Sequence, residues 1–278
     1  MTRTWFVTGA ARGLGAAVVN AALEAGDNVV ATGRGNVQAA FPGSEDKLLA
    51  LKLDVTDPAA PDKAVAEALH RFGRIDVLVN NAGYGQLGLF EKSSEEEVRR
   101  QFEINVFGLM RVTRAILPQM REHRAGHIIN FSSIGGIVPF PLCSLYCASK
   151  FAVEGFSASL ALDVQPFGIN VTVVEPGFFR TDFLDPRSAR YSGHRIPDYD
   201  EIRAKPETQY KDQNHKQLGD PAKLGTAIVK LADAATPPRH LLLGSDAIRY
   251  AQEELRARCA EIDAWAELSV TTDHQDVA

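Results

Sequence analysis

Short runs of β-branched and other apolar residues alternate along the chain with longer stretches in which apolar positions recur every three to four residues. The short runs, at residues 4–8, 28–32, 48–53, 75–79, 127–131, 169–174 and 240–243, predict seven strands. Between them, residues 14–25, 59–72, 95–123, 146–165 and 221–234 have the period and length of helices. Parallel strands need crossovers of this length. The alternation therefore predicts the α/β class, a single Rossmann-type doubly wound parallel sheet of seven strands with helices on both faces. Residues 77–79 and 171–174 are apolar almost without a break, as strands covered on both sides are.

The pattern fails at residues 183–219, where Tyr, Pro, Arg, Asp, Gln and His crowd together without a clean period. This predicts a substrate lid, with room for short helices. Residues 246–269 are rich in Ala, Glu, Arg and Leu and predict a C-terminal helical extension that ends in a polar tail. A length of 278 residues permits one or two domains, and without a linker or repeat it reads as one, residues 1–278.

Composition narrows the classes of function. Hydrophobic residues make up 45% and charged residues 23%, ordinary globular usage. The net charge of -5 offers no global basic field for nucleic acid. Three cysteines, Cys143, Cys147 and Cys259, lack the spacing of a zinc site or a disulfide framework, so no metal is expected and reducing cytoplasm fits. No run approaches the roughly 20 apolar residues of a membrane span, and the first residues lack the apolar length of a signal peptide.

The first chemical signal lies between the first strand and the first helix. Thr8, Gly9, Arg12, Gly13, Leu14 and Gly15 belong to a glycine-punctuated turn at a helix N-terminus, where backbone N–H groups approach a pyrophosphate. The glycine spacing differs from G-x-G-x-x-G, and the same residues also suit a tight strand–helix turn without a ligand. An NAD site usually has an acidic residue at the end of the second strand. Here that strand runs into Gly33-Arg34, so Arg34, with Arg12, faces the place of a ribose 2′-phosphate and predicts NADP (NADPH); the bland reading leaves both arginines in solvent.

Tyr146 and Lys150 are i and i+4 neighbours on one helical face. A nearby cation favours phenolate and would draw the phenol toward a working general acid or base. Ser133 stands 13 residues earlier, just past a strand's carboxyl end, where a hydroxyl can stabilise a developing alkoxide. Its neighbour Ser132 is the alternative turn cap.

With Thr8-Gly-x-x-x-Gly-x-Gly15, Asp54 after the third strand, Asn80-Asn-Ala-Gly83 after the fourth, Asn105, Ser133, Tyr146/Lys150 and Pro176-Gly177-x-x-x-Thr181, the sequence resembles the short-chain dehydrogenase/reductase family along nearly its whole length. It is similar in particular to NADP-preferring, hydroxysteroid dehydrogenase-like members. The resemblance implies that Asp54 with Val55 meets the adenine, that Asn81, Ala82 and Gly83 line the adenosine ribose, and that Lys150 holds the nicotinamide ribose. It also implies that Thr181 fixes the carboxamide, with Pro176 and Gly177 among the cofactor-binding residues. Asn105 would kink its helix and anchor a proton-relay water; the alternative is a core Asn satisfied by backbone.

The implied reaction interconverts a ketone or aldehyde and its alcohol, with Tyr146 as acid/base. Phe140, Phe179 and Phe183 would wall an apolar substrate pocket, which predicts a medium-sized apolar carbonyl compound. Arg187, Arg190, His194, Arg195 and Arg203 in the lid either meet an anionic substrate or are solvated. The resemblance implies a homo-oligomer, dimer or tetramer, packed through the helices at 95–123 and 146–165. Two other classes remain open: an NADP-binding regulatory protein without turnover, and an epimerase or dehydratase on the same fold.

Overall fold

In the computed structural model, residues 2–185, 188–191 and 196–274 are described. Among them the strands in chain order are β1 (Thr4–Thr8), β2 (Asn28–Gly33), β3 (Leu48–Lys52), β4 (Val77–Asn80), β5 (Gly85–Leu87), β6 (Gly126–Phe131), β7 (Ile169–Pro176), β8 (Ala189–Tyr191) and β9 (His240–Leu243). The helices are α1 (Gly13–Glu24), α2 (Ala60–Phe72), α3 (Glu95–Phe102), α4 (Leu109–His123), α5 (Ser144–Val164), α6 (Asp200–Gln213), α7 (Pro221–Asp233) and α8 (Ser245–Val270). Seven strands form one parallel sheet in the order β3-β2-β1-β4-β6-β7-β9, the architecture that the alternation predicts.

Successive residues of β1 serve opposite faces, as the strand period of two requires. Trp5 and Val7 join the core under α1 and α7, with Val18, Val29, Ile129, Leu224 and Ile228. Phe6 joins the core under α2, α4 and α5, with Val30, Leu78, Val112, Ile116 and Leu160. Trp5 is fully buried because its indole N–H has a partner: Nε1 donates to Asp27 Oδ2 at 2.8 Å. The chain turns to opposite sides of β1 to form β2 and β4, so the order reverses there and opens a crevice at the carboxyl ends of the strands.

Two features depart from the periodic reading. The helix predicted over residues 95–123 is divided by a π-helical turn, Glu103–Gly108, between α3 and α4. Its physical cause is local. Asn105 is held by Tyr84 and Ser149 rather than by its own helix, and Gly108 lies so close to Val55 that a Cβ would stand 2.6 Å from a valine methyl. The second departure is a parallel ribbon in which β5 pairs with β8, tying the lid segment to the chain after β4. The segment expected to form a lid also contains α6. Of its arginines and histidine, Arg187, His194 and Arg195 lie outside the described residues.

Candidate active site

The crevice is a cavity of about 440 Å³ that runs from the glycine turn to the lid. At one end Gly9 and Gly13 adopt the left-handed conformation, with φ of 64° and 57°. Gly9 also lies against the chain after β4, where a Cβ would meet Ala82 Cα at 2.9 Å. The turn is locked from that side: Asn81 Nδ2 donates to the carbonyls of Thr8 and Gly9, and Thr8 Oγ1 accepts from the N–H groups of Asn81 and Ala82.

This clamp corrects two expectations. Thr8 is buried and spends its hydroxyl on the β4 loop, and Gly15 is buried under the turn, where a Cβ would stand 2.4 Å from Gly9 O. Neither lines the cavity; both shape the residues that do, Gly9, Arg12, Gly13 and Leu14. The bare N–H groups of α1 open toward it, because Arg12 at the N-cap makes no side-chain cap bond.

The turn fits a dinucleotide pyrophosphate, since positive φ, close backbone approach and a free helix N-terminus are what such a group needs. Further along, Asp54, Val55, Asn81, Ala82 and Gly83 line the cavity with Gly33, Arg34 and Gly35. Burial raises the Asp54 carboxyl, but hydrogen bonds from Thr56 and the charges of Arg34 and Arg100 outweigh it and hold the group below its usual value. No carboxylate stands at the end of β2, and both Arg12 and Arg34 are exposed at the rim.

At the other end β6 delivers Ser132 and Ser133, and α5 delivers Tyr146 and Lys150. Lys150 is buried, and its Nζ donates to Phe131 O at 2.8 Å, fastening α5 to the last residue of β6. Ser133 accepts from Gly135 N at 3.0 Å, so it caps the turn expected of Ser132 and still faces Tyr146. Ser132 points inward, toward Lys150 O at 3.5 Å.

The electrostatics differ from the simple cation–phenol picture. Burial pushes the Tyr146 hydroxyl well above its ordinary value, with Ser133 as the counterweight. Lys150 does not draw it down here, because its ammonium is turned to Phe131 and lies 5.8 Å from the centre of the tyrosine ring. Burial also lowers Lys150, to about 8, while Glu154, one turn further along α5, opposes that shift. Glu154 is raised by burial and by neighbouring Glu175, which accepts from or donates to His240 Nδ1 at 2.8 Å according to the imidazole's protonation.

Asn105 does not line the cavity. Its Oδ1 accepts from Tyr84 N at 3.1 Å, and its Nδ2 donates to Tyr84 O and Ser149 Oγ at 3.0 and 3.2 Å. Both amide hydrogens are spent in this clamp, and Oδ1 has one further acceptor position.

The expected aromatic wall is divided. Phe183 packs on Tyr146, ring centres 5.4 Å apart, and Phe140 joins Tyr146 in an apolar cluster with Leu87, Cys143 and Tyr210. Phe179 instead packs on Gly219 and joins the core beside Leu14, on the glycine-turn side. Pro176, Gly177 and Thr181 line the cavity between the two ends, Thr181 opposite Gly13.

Sequence reasoning missed Tyr84, Leu87, Arg100, Tyr210 and Gln217 as lining residues. Tyr210 arrives from α6 and is held by donating to Pro141 O at 2.9 Å. Among the described residues Tyr84 Oη and Gln217 Oε1 are buried without a hydrogen-bond partner, in a wall that also carries Arg100, Ser188 and Arg190. Tyr84 had a signal, its place directly after Gly83; the lid residues had none.

Comparison with known proteins fits this site. The family model for short chain dehydrogenase matches residues 3–192. The chain is 39% identical over 242 residues to 3-ketodihydrosphingosine reductase of Bacteroides thetaiotaomicron, covering 86% of each. Among solved structures, a short-chain dehydrogenase from Streptomyces avermitilis is 42% identical, with TM-score 0.90 and coverage of 99% of this chain and 100% of that one. ElxO, described with NADP bound, is 26% identical with TM-score 0.72, covering 87% of this chain and 96% of that one.

Proposed function

Because the chain belongs to the short-chain dehydrogenase family, we propose that it is an NADP(H)-dependent oxidoreductase that reduces a medium-sized apolar ketone or aldehyde to its alcohol, and reverses the reaction. The observation that carries this reading is the placement of Tyr146, Ser133 and Lys150 at the end of one cavity whose other end is the glycine turn. When bound, the nicotinamide supplies or takes up the hydride.

The chain's own residues handle the oxygen and its proton. A substrate oxygen between Ser133 and Tyr146 receives a hydrogen bond from each hydroxyl, and charge that develops on it is stabilised there. Tyr146 then gives up its proton. Burial keeps the phenol in its acid form across neutral pH, which suits proton delivery during reduction. Lys150, largely protonated below about 8, holds α5 against the end of β6 through Phe131 O and so fixes the position of Tyr146 beside Ser133. Asn105 is a positioning residue: it holds Tyr84 and Ser149 and so sets the wall beside α5.

Arg12 and Arg34 are the residues for the 2′-phosphate, and the absence of a carboxylate at the end of β2 removes a repulsive charge. Phe140, Phe183, Leu87 and Tyr210 favour an apolar substrate body, consistent with a relative named as the reductase of a ketone. NADPH oxidation with a panel of apolar ketones and aldehydes tests the reading. Tyr146→Phe should keep NADPH binding and lose roughly 10²–10⁴ in turnover; a variant with near-normal turnover would overturn it.

A further inference from the structure

The β5–β8 ribbon gives the cavity beyond Tyr146 an apolar side and a cationic side, because side chains alternate along its strands. Leu87 and Ala189 belong to the apolar cluster with Phe140, Cys143, Tyr146 and Tyr210. Gln86 and Arg190 are partners in register on the opposite face. That face meets α3, where Gln86 Nε2 donates to Glu97 Oε1 at 3.2 Å. Arg190 therefore stands on the side where α3 carries Arg100, one turn from Glu97, and both arginines line the cavity while keeping an exposed face.

Among the described residues neither guanidinium forms an ion pair. The acids around Arg100 have other partners: Glu95 pairs with Arg99, Glu103 pairs with Arg111, and Glu97 accepts from Ser94 N and Gln86 Nε2. Arg203, the other described arginine of the lid segment, pairs with Asp200 and Glu207. The carboxylates in the cavity wall lie elsewhere, Asp54 bound to Thr56 and Asp182 in the turn that Thr181 caps.

Tyr84 completes the group. Its N–H donates to Asn105 Oδ1 and its carbonyl accepts from Asn105 and Gln101, so its backbone is fixed, yet its Oη is buried without a hydrogen-bond partner. Burial raises this hydroxyl, the charges of Arg100 and Arg190 work against the rise, and Glu97 adds to it. The phenol thus keeps its proton at neutral pH and has it to donate. Two unpaired guanidiniums beside a donor hydroxyl suit a planar carboxylate. The anions of a dinucleotide have their own places, at the glycine turn and at Arg12 and Arg34.

We propose that Arg100, Arg190 and Tyr84 bind a carboxylate of the substrate, so that the carbonyl compound reduced here has an apolar body and an anionic end. The proposal rests on the reading of the cavity as a site of carbonyl reduction and names the substrate class within it. The reacting oxygen lies at Ser133 and Tyr146, the body against Phe140, Phe183 and Leu87, and the carboxylate at the rim between β8 and α3.

The test compares three ketones of matched length with NADPH: an oxo acid, its methyl ester and the corresponding amino ketone. Wild type should prefer the acid, and the preference should shrink at high salt because both guanidiniums reach solvent. Arg190→Ala and Arg100→Ala should each lower the acid-to-ester ratio of kcat/KM by about tenfold, mainly through KM, and Arg190→Lys should keep part of it. Arg190→Glu should turn the preference toward the amino ketone. Equal use of acid and ester by wild type, or an acid-to-ester ratio unmoved by the arginine substitutions, overturns the proposal and leaves carbonyl reduction standing. Loss of NADPH affinity in fluorescence titration, in place of the acid preference, would give the guanidiniums to the cofactor and also overturns it. Reduction of none of the three, with the neutral carbonyl panel equally inert, defeats the oxidoreductase reading itself and this site with it.

Discussion

Lys150 Nζ donates to Phe131 O at 2.8 Å, and Ser133 lies two residues beyond Phe131. One buried ammonium thus sets the distance between the helix that carries Tyr146 and the strand end that carries Ser133. Its removal acts on the geometry and on the charge together. Lys150→Met should lower kcat by at least 10² and leave the Phe131 carbonyl short of a donor, at a cost of about 1–3 kcal/mol. Turnover and chemical denaturation of the variant check this; loss of activity with unchanged stability would mean that the fastening is energetically idle.

The same ammonium gives a pH signature. Its folded value of about 8 lies below the ordinary 10.5, so below pH 8 both folded and unfolded chains hold the proton and the full burial penalty stands. Between about 8 and 10.5 the unfolded chain binds more protons, so this contribution makes the protein more stable as pH rises. The melting temperature of wild type, relative to Lys150→Met, should therefore climb across that window. A constant difference would count against it.

Glu154 works with the opposite sign. Burial and Glu175 raise it above the ordinary 4.5, so the fold keeps a proton that the unfolded chain releases. Its contribution to stability is present below 4.5 and declines as pH rises toward the raised folded value. Glu154→Gln should flatten that decline and gain relative stability at slightly alkaline pH. Urea midpoints at pH 5 and pH 8 measure the change, and equal slopes in the two proteins would refute it.

Cofactor choice is expected to rest on Arg34 and Arg12. Removing one guanidinium from a phosphate should cost roughly 1.5–3 kcal/mol before solvent screening. Gly33→Asp/Arg34→Ala should therefore shift the ratio of kcat/KM for NADPH over NADH by about 10² toward NADH. A Cβ at Gly33 would stand 3.1 Å from a Val37 methyl, so Val37 must give slightly. Equal parental kcat/KM for the two cofactors would remove the premise.

Two glycines of similar appearance should behave differently. An alanine methyl at Gly15 would stand 2.4 Å from Gly9 O, backbone that cannot step aside, whereas nothing lies within 4 Å of one at Gly35. Gly15→Ala should lower the melting temperature and abolish NADPH binding; Gly35→Ala should leave both nearly unchanged. Fluorescence titration and thermal melts distinguish them.

Strands whose side chains alternate between two cores, as Trp5, Phe6 and Val7 do, were legible because burial writes itself into the period. Tyr146, Ser133 and Lys150 were legible because their neighbours in the site are also neighbours in a recognisable order of motifs. The β5–β8 ribbon was not, since three-residue strands leave no period to read. Nor was the division of labour in the glycine turn: Thr8 looks like a phosphate ligand until its hydroxyl is found receiving Asn81 and Ala82. Tyr210 reaches the cavity from 64 residues beyond Tyr146, through a lid helix whose composition shows no buried face.

Phe140 is held edge-on by two rings, Phe178 at 5.8 Å and Tyr250 at 5.8 Å, and Tyr250 belongs to α8. The far wall of the substrate pocket therefore takes its bearing from the C-terminal helix. Substitutions at the seat of that helix, around Ala247 and Ala251, should move Phe140 without altering any residue that lines the cavity. The shape of the cavity and the docking of α8 are in this way mechanically coupled.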